Sequence, residues 1–354
     1  MKRLENFRQK LKQSKIEAAI IISDYNRNYL TGFTGDESYA LITQNKAYFI
    51  TDSRYTEQAK NEVKDFEVLE YKGSIEEFVY NILKENNIKN VGIEENYVTL
   101  KLYEQYKNCF KDIEILKLNS IIEDLRVIKD ENEIALIAKA AEIADNAFNH
   151  ILSFIKCGVT EKEVALELEM YMKKLGASKL SFDTIVASGT RSSLPHGVAT
   201  NKKIENGDFV TIDFGCVYKG YCSDMTRTLV VGKANEKQKE IYNLVLKANE
   251  EALKSIKPGI KCFELDKVAR DIIIKGGYGD KFGHGLGHGV GAEIHEAPRL
   301  SPKSTDTLAS GMIITDEPGI YIEGFGGVRI EDLIVVTETG YRVLSSSPKS
   351  LIEI

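Results

Sequence analysis

The chain has 354 residues, 43% hydrophobic and 28% charged, with a formal net charge of −6. That is the balance of an ordinary globular protein, long enough for two domains. An acidic surplus with no basic stripe argues against nucleic acid as a partner, and no run of about 18 apolar residues exists to span a membrane.

The first residues, "MKRLENFRQKLKQSKIEAAIIIS", read as an amphipathic helix running into a strand, without the apolar core or cleavage site of a signal peptide. Strands are expected at 18–22, 39–43 and 47–51, and helices at 54–64 and 75–86. This alternation predicts an α/β domain over 1–122. The texture changes near Asn119–Lys129, and the second domain is expected over 123–354. Its first element is a long helix in "IKDENEIALIAKAAEIADNAFNHILSFIK", with Asp130 and Glu133 spaced as a capping pair. The cysteines at 109, 157, 216, 222 and 262 are odd in number and lack C-x-x-C spacing. Reduced thiols and a cytoplasmic location are therefore expected.

The second domain repeats itself. Residues 143–164 align with 244–265 at an offset of 101, each a helix end, a Lys-x-Gly turn and a helix start. Thr160 with Glu163 caps the second helix of the first copy. "PHGVAT" (195–200) echoes "GHGVGA" (287–292), and "TIDFG" (211–215) echoes "TDEPG" (315–319). Two similar halves follow, each supplying a pair of acids.

In "FVTIDFGCVYKGYCSDMTRTLVV" alternating strands flank a Tyr-Lys-Gly turn, and Asp213 and Asp224 are eleven apart. An odd separation across a two-residue loop places them opposite or diagonal on one face, about 5–8 Å apart. Glu317 and Glu331 occupy comparable places in "TDEPGIYIEGFGGVRIEDLIVV", but their separation of fourteen is even. That hairpin must turn differently or contain a bulge. A lone strand acid is usually solvated; four at matching places among apolar residues require compensation. Two divalent cations would balance the four charges, and one imidazole would complete a dinuclear site. Three of the five histidines, His284, His288 and His295, crowd into "GHGLGHGVGAEIHEAP".

That string, followed by "EPGIY" and "VRIEDL" and preceded by "TIDFG" and "SDMTRT", resembles the metallopeptidase family of the pita-bread fold. The resemblance is closest to its proline-specific branch, the Xaa-Pro aminopeptidases and Xaa-Pro dipeptidases (prolidases). "NRNYLTGFTGDES", "FITDSRYTEQA" and "LRVIKDENEIALI" extend it over nearly the whole chain. It implies a creatinase-like α/β N-terminal domain and an α+β pita-bread catalytic domain with an internal pseudo-twofold repeat. It implies that Asp213 chelates one metal, that Asp224 and Glu331 bridge both, and that His288 and Glu317 complete the second. His284, His295 and His196 match histidines that contact substrate and stabilise the tetrahedral intermediate. Arg329 matches an arginine near the metals, and Tyr321 matches the tyrosine after Glu-Pro-Gly. His150, on a helix face, is expected to be structural.

The reaction so implied is hydrolysis of the bond between an N-terminal residue and a following proline, with Glu317 as proton shuttle. Four oxygen donors and one nitrogen favour Mn²⁺, with Co²⁺ or Zn²⁺ as substitutes. The expected partners are small peptides with proline second, and a second copy of the chain in a homodimer. In that dimer the loop "TGFTGDES" would place Asp36 near the partner's substrate amine. Arg299, four residues after His295, is expected to clamp a dipeptide's carboxylate, which favours a dipeptidase over an aminopeptidase acting on longer peptides. A metal-free binding module of the same fold is the alternative from another class, and a complete ligand set argues against it.

Overall fold

In the computed structural model, which describes residues 2–354, the chain divides into two units, one ending at Arg126 and the other running Val127–Ile354. The division falls beyond residue 122 because Ile121 and Ile122, on the helix Ile121–Arg126, are buried with Leu4, Phe7 and Leu11. Apolar packing keeps that helix with the first unit.

The first unit is built on a six-stranded mixed sheet. The expected strands form at Ala18–Ile21, Tyr39–Thr43 and Ala47–Thr51 and pair antiparallel in its centre. Strands at Glu67–Glu70, Asn90–Ile93 and Glu114–Lys117 add in parallel on the flanks. The two outermost of these begin and end on exposed charged residues, so hydrophobic alternation does not announce them. The expected helices are Thr56–Glu62 and Ile75–Glu85.

The second unit consists of two halves with the same order of elements. The helix Glu131–Ile151 starts in a capping box, Asp130 Oδ1 accepting from Glu133 N and Glu133 Oε2 from Asp130 N, both at 2.9 Å. Thr160 and Glu163 cap the helix Glu161–Lys174 in the same way. In the other half the helices are Glu236–Ser255 and Cys262–Lys275. The second helices of the two pairs begin at 161 and 262, which preserves the offset of 101.

Each helix pair buries its apolar stripe against a sheet. Ile143, Ala147, Ile151, Leu168 and Met172 pack on Val210, Ile212 and Leu229. Val245, Ala248, Leu265 and Ala269 pack on Ile314, Ile330 and Ile334. The first half's sheet runs Ile352–Glu353, Met225–Val230, Phe209–Phe214, Ile185–Ser188. The second runs Glu296–Leu300, Gly287–Gly289, Ile313–Asp316, Asp332–Val336, Tyr341–Val343. Topology corrects one echo read from the sequence. The counterpart of strand Gly287–Gly289 is Ile185–Ser188, because each lies beside the first hairpin strand of its half. Residues 195–200 instead return beside Ile185, through an Ile185–Val198 bridge, as Glu296–Leu300 returns beside Gly287–Gly289.

Candidate metal centre

In the first half one register runs through the hairpin, from Tyr218–Tyr221 at the turn to Asp213–Thr226 beyond it. The two-residue turn has Lys219 at φ 47° and Gly220 at φ 86°, the left-handed pair that suits the strand twist. Asp224 therefore lies diagonal to Asp213 on one face. In the second half the pairs Asp316–Asp332 and Gly319–Arg329 bracket Glu317 and Glu331, which stand level with each other. The innermost pair is Ile322–Gly326, so the loop holds three residues, and an odd loop makes an even separation.

The halves meet at these acids. Glu331 N donates to Thr226 O at 3.1 Å, and Thr226 Oγ1 donates to Glu331 Oε2 at 2.6 Å. Thr228 Oγ1 donates to Arg329 O at 3.0 Å. The third wall is the strand Gly287–Gly289. A Cβ on Gly287 would lie 2.2 Å from Thr315 O, and one on Gly289 2.1 Å from Ala297 O. Only glycine lets this strand pass between its neighbours and bring His288 to the acids. His288 Nε2 is 3.6 Å from Asp224 Oδ2 and 3.4 Å from Glu317 Oε1. Its Nδ1 faces the carbonyl of Gly289 at 3.1 Å and must donate there, leaving Nε2 free toward the acids. One ligand atom each from Asp224, His288 and Glu331 lies within 4.8 Å of the others.

Electrostatics show what the cluster can hold. Burial, then repulsion from Asp213 and Glu317, holds the Asp224 carboxyl well above its ordinary range. Burial, then Asp224 and Glu317, does the same to Glu331. Glu317 is raised to about 8 by burial, against the pull of Arg329 and with Asp213 adding to the rise. Burial lowers His288 to about 3, aided by His295, so its imidazole is neutral and able to ligate. Asp213 Oδ2 accepts from Arg329 at 2.6 Å, but its buried Oδ1 has no hydrogen-bond partner. Crowded carboxylates, an orphaned oxygen and a neutral imidazole fit divalent cations, whose charge would reverse these shifts.

The acids and His288 line a cavity of about 490 Å³, within the usual range for small-ligand sites. His196, His284, His295, Arg299 and Arg329 also line it. His284, expected to contact substrate, has both ring nitrogens engaged. Nδ1 donates to Gly285 O at 2.8 Å, and Tyr321 Oη, itself accepting from Arg329 at 2.8 Å, donates to Nε2 at 2.9 Å. Burial, with Arg329 nearby, lowers His284 to about 4. Tyr321, expected to bind substrate, is not among the residues lining the cavity. Arg329 is buried and bonded to Thr226, Tyr321, the Pro195 carbonyl and Asp213. Both hold the wall in place. His196 and His295 are exposed on the cavity, and the His295 ring stands 4.4 Å from that of His288.

Arg299 is the cross-strand partner of His288, and its exposed guanidinium has no hydrogen bond or ion pair among the described residues. Asp36 is an exposed residue of the first unit. His150 bonds Glu167 at 2.6 Å and stacks on Tyr171, away from the cavity lining. Thr226 and Thr315 were not singled out by the sequence. Each stands two residues from a cluster acid, Asp224 just before its strand or Glu317 just after it, and period-2 spacing was the available signal.

Residues 135–338 match metallopeptidase family M24, and residues 3–128 match the creatinase/prolidase N-terminal domain. An Xaa-Pro dipeptidase of Pyrococcus horikoshii is 46% identical over 341 residues, 96% of this chain and 95% of its own. Among solved structures, an Xaa-Pro dipeptidase from Bacillus anthracis superposes with a TM-score of 0.98 at 48% identity, covering 100% of this chain and 99% of that one. An X-Pro aminopeptidase from Thermotoga maritima superposes with a TM-score of 0.92 at 41% identity, covering 98% and 100%.

Proposed function

The chain belongs to metallopeptidase family M24, and we propose that it hydrolyses the bond between an N-terminal residue and a following proline, with Xaa-Pro dipeptides as its main substrates. The observation that carries this reading is that Asp213, Asp224, His288, Glu317 and Glu331 line one cavity together with Arg299, whose guanidinium has no partner among the described residues. Asp224 and Glu331 would each bridge two ions. Asp213 would hold one of them, and His288 and Glu317 the other. The oxygen-rich donor set favours Mn²⁺. When bound, the ions supply a strong nucleophile at neutral pH and polarise the scissile carbonyl.

The remaining steps fall to the chain's own groups. An Xaa-Pro bond is a tertiary amide with no N–H to grip, so the substrate must be held by its ends. Arg299 would clamp the proline carboxylate in two parallel charge-assisted bonds, which a longer peptide cannot accept. His295 and His196, exposed on the cavity, would donate to the oxygen that gains charge. Glu317, with Thr315 Oγ1 donating to its Oε1 at 3.2 Å, would accept a proton and return it to the departing proline nitrogen. His284, Tyr321 and Arg329 would keep Asp213 in place.

The five thiols are free, which supports a reducing compartment such as the cytoplasm. No helix among the described residues is long and apolar enough to cross a membrane. By resemblance to its branch the assembly would be a homodimer with Asp36 near the partner's substrate. Light scattering tests it, and a fully active monomer would dispose of the idea. For the activity, the full chain is loaded with Mn²⁺ and assayed on Xaa-Pro, Xaa-Pro-Xaa and Xaa-Ala peptides. Turnover of Xaa-Pro above the others is expected. Turnover of only the longer proline peptides would assign the chain to the aminopeptidases, and no proline dependence would sink the reading.

A further inference from the structure

Lys129 lies in the segment "LRVIKDENEI", which leads into the first helix of the catalytic unit. Its side chain is 1% exposed and that of Glu296 6%, and Nζ meets Glu296 Oε2 at 2.9 Å. A charge pair so far from water persists only where its remaining groups are satisfied and its geometry is held. Here Lys129 N donates to Gly311 O at 2.9 Å, and Nζ also reaches Val127 O at 3.3 Å. Glu296 Oε1 accepts from Glu293 N at 3.0 Å. A Cβ on Gly291 would lie 2.4 Å from Glu296 Oε2, so the carboxylate is folded beneath its own loop and the loop closes over it.

That loop, 290–295, connects the His288 strand to the Arg299 strand and ends on His295. It is tied on its other side by Cys222 N, which donates to Gly291 O at 2.8 Å. The His295 ring has no hydrogen bond of its own among the described residues, although it faces the His288 ring at 4.4 Å. Its place in the cavity is therefore set by the backbone next to it, where the adjacent side chain, Glu296, is held by Lys129 and by Glu293 N.

We propose that the Lys129–Glu296 ion pair anchors the loop that aims His295, making both positioning residues for the reaction. The inference rests on the peptidase reading above. Replacing Lys129 by methionine keeps the length and removes the charge, leaving the Glu296 carboxylate buried without its cation while Glu293 N still donates to Oε1. The loop would then open toward water.

The test pairs kinetics with hydrogen exchange on the full chain. Lys129→Met should lower kcat for Xaa-Pro about 10- to 100-fold, the scale for small misplacements, with KM changed less than about threefold. Bound metal should be unchanged, and Lys129→Arg should recover most of the rate. In a His295→Ala background Lys129→Met should cost almost nothing further, because the two act as one unit. In metal-free protein, amide exchange should quicken over 290–296 and stay unchanged in the helices Glu236–Ser255 and Cys262–Lys275. Unchanged exchange over 290–296, or a rate loss that multiplies with His295→Ala, overturns the proposal. If Lys129→Met does not accumulate as folded protein, Glu296→Gln is measured in the same way. A wild-type chain inactive on every Xaa-Pro peptide would sink the peptidase reading, and the exchange rates alone would then decide the anchor.

Discussion

Thr226 Oγ1 donates to Glu331 Oε2 at 2.6 Å while accepting from Arg329 Nε at 3.0 Å. A guanidinium can only donate, so Thr226 Oγ1 accepts there, and toward an ionised Glu331, as a metal ligand must be, the hydroxyl proton points at the acid. One lone pair of Glu331 is thereby committed, and the rest of the carboxylate is turned toward Asp224 and His288. Thr226→Val keeps the shape, removes this bond and leaves Arg329 Nε without its acceptor. Metal affinity should fall about 10- to 100-fold, the usual cost of losing a group that orients a ligand. Titration calorimetry with Mn²⁺ measures it, and an unaltered affinity would show that Glu331 needs no orientation.

Two divalent ions per chain are expected by elemental analysis, with activity lost on chelation and restored best by Mn²⁺. Asp224→Asn or Glu331→Gln should release both ions, since each residue would bridge. Either variant keeping both metals and normal turnover would refute the ligand assignment. Metal should also stabilise the fold, by about 2.7 kcal/mol at a free concentration of 100 times Kd, which a thermal melt detects.

His288 and His295 stand ring to ring but should separate in function. His295→Ala should retain most of its metal and lose about 10²-fold or more in kcat, as expected for removal of a donor to the developing oxyanion. His288→Ala should lose metal and rate together. Equal metal loss in the two variants would end that division of labour.

Arg299→Ala should lower kcat/KM for Xaa-Pro about 30- to 100-fold, near the ~2–3 kcal/mol of a charge-assisted bond, and leave Xaa-Pro-Xaa tripeptides almost unaffected. The comparison of two substrates on one variant separates a clamp from a general disturbance. Equal small losses on both would make Arg299 a bystander.

The local elements of this protein were legible from the residues. Asp130–Glu133 and Thr160–Glu163 form the capping boxes that their spacing announces, because such caps involve only four consecutive residues. The odd separation of Asp213 and Asp224 led to one face of a hairpin, since alternation along paired strands is a property of the chain alone. The even separation of Glu317 and Glu331 likewise required an unusual turn, and the turn has three residues.

Other relationships depend on contacts across long stretches of sequence. Thr226 reaches Glu331 and Arg329 reaches Asp213 only because packed helices bring the two hairpins edge to edge, and no local propensity encodes that approach. The same packing occupies both nitrogens of His284, withdraws Tyr321 from the cavity lining and leaves the Arg299 guanidinium without a bond among the described residues. It also buries Lys129 against Glu296, 167 positions away. Residue type and spacing determined which groups could serve the site. Burial, hydrogen-bond direction and unpaired charge, which exist only once distant segments meet, decided what each is free to do.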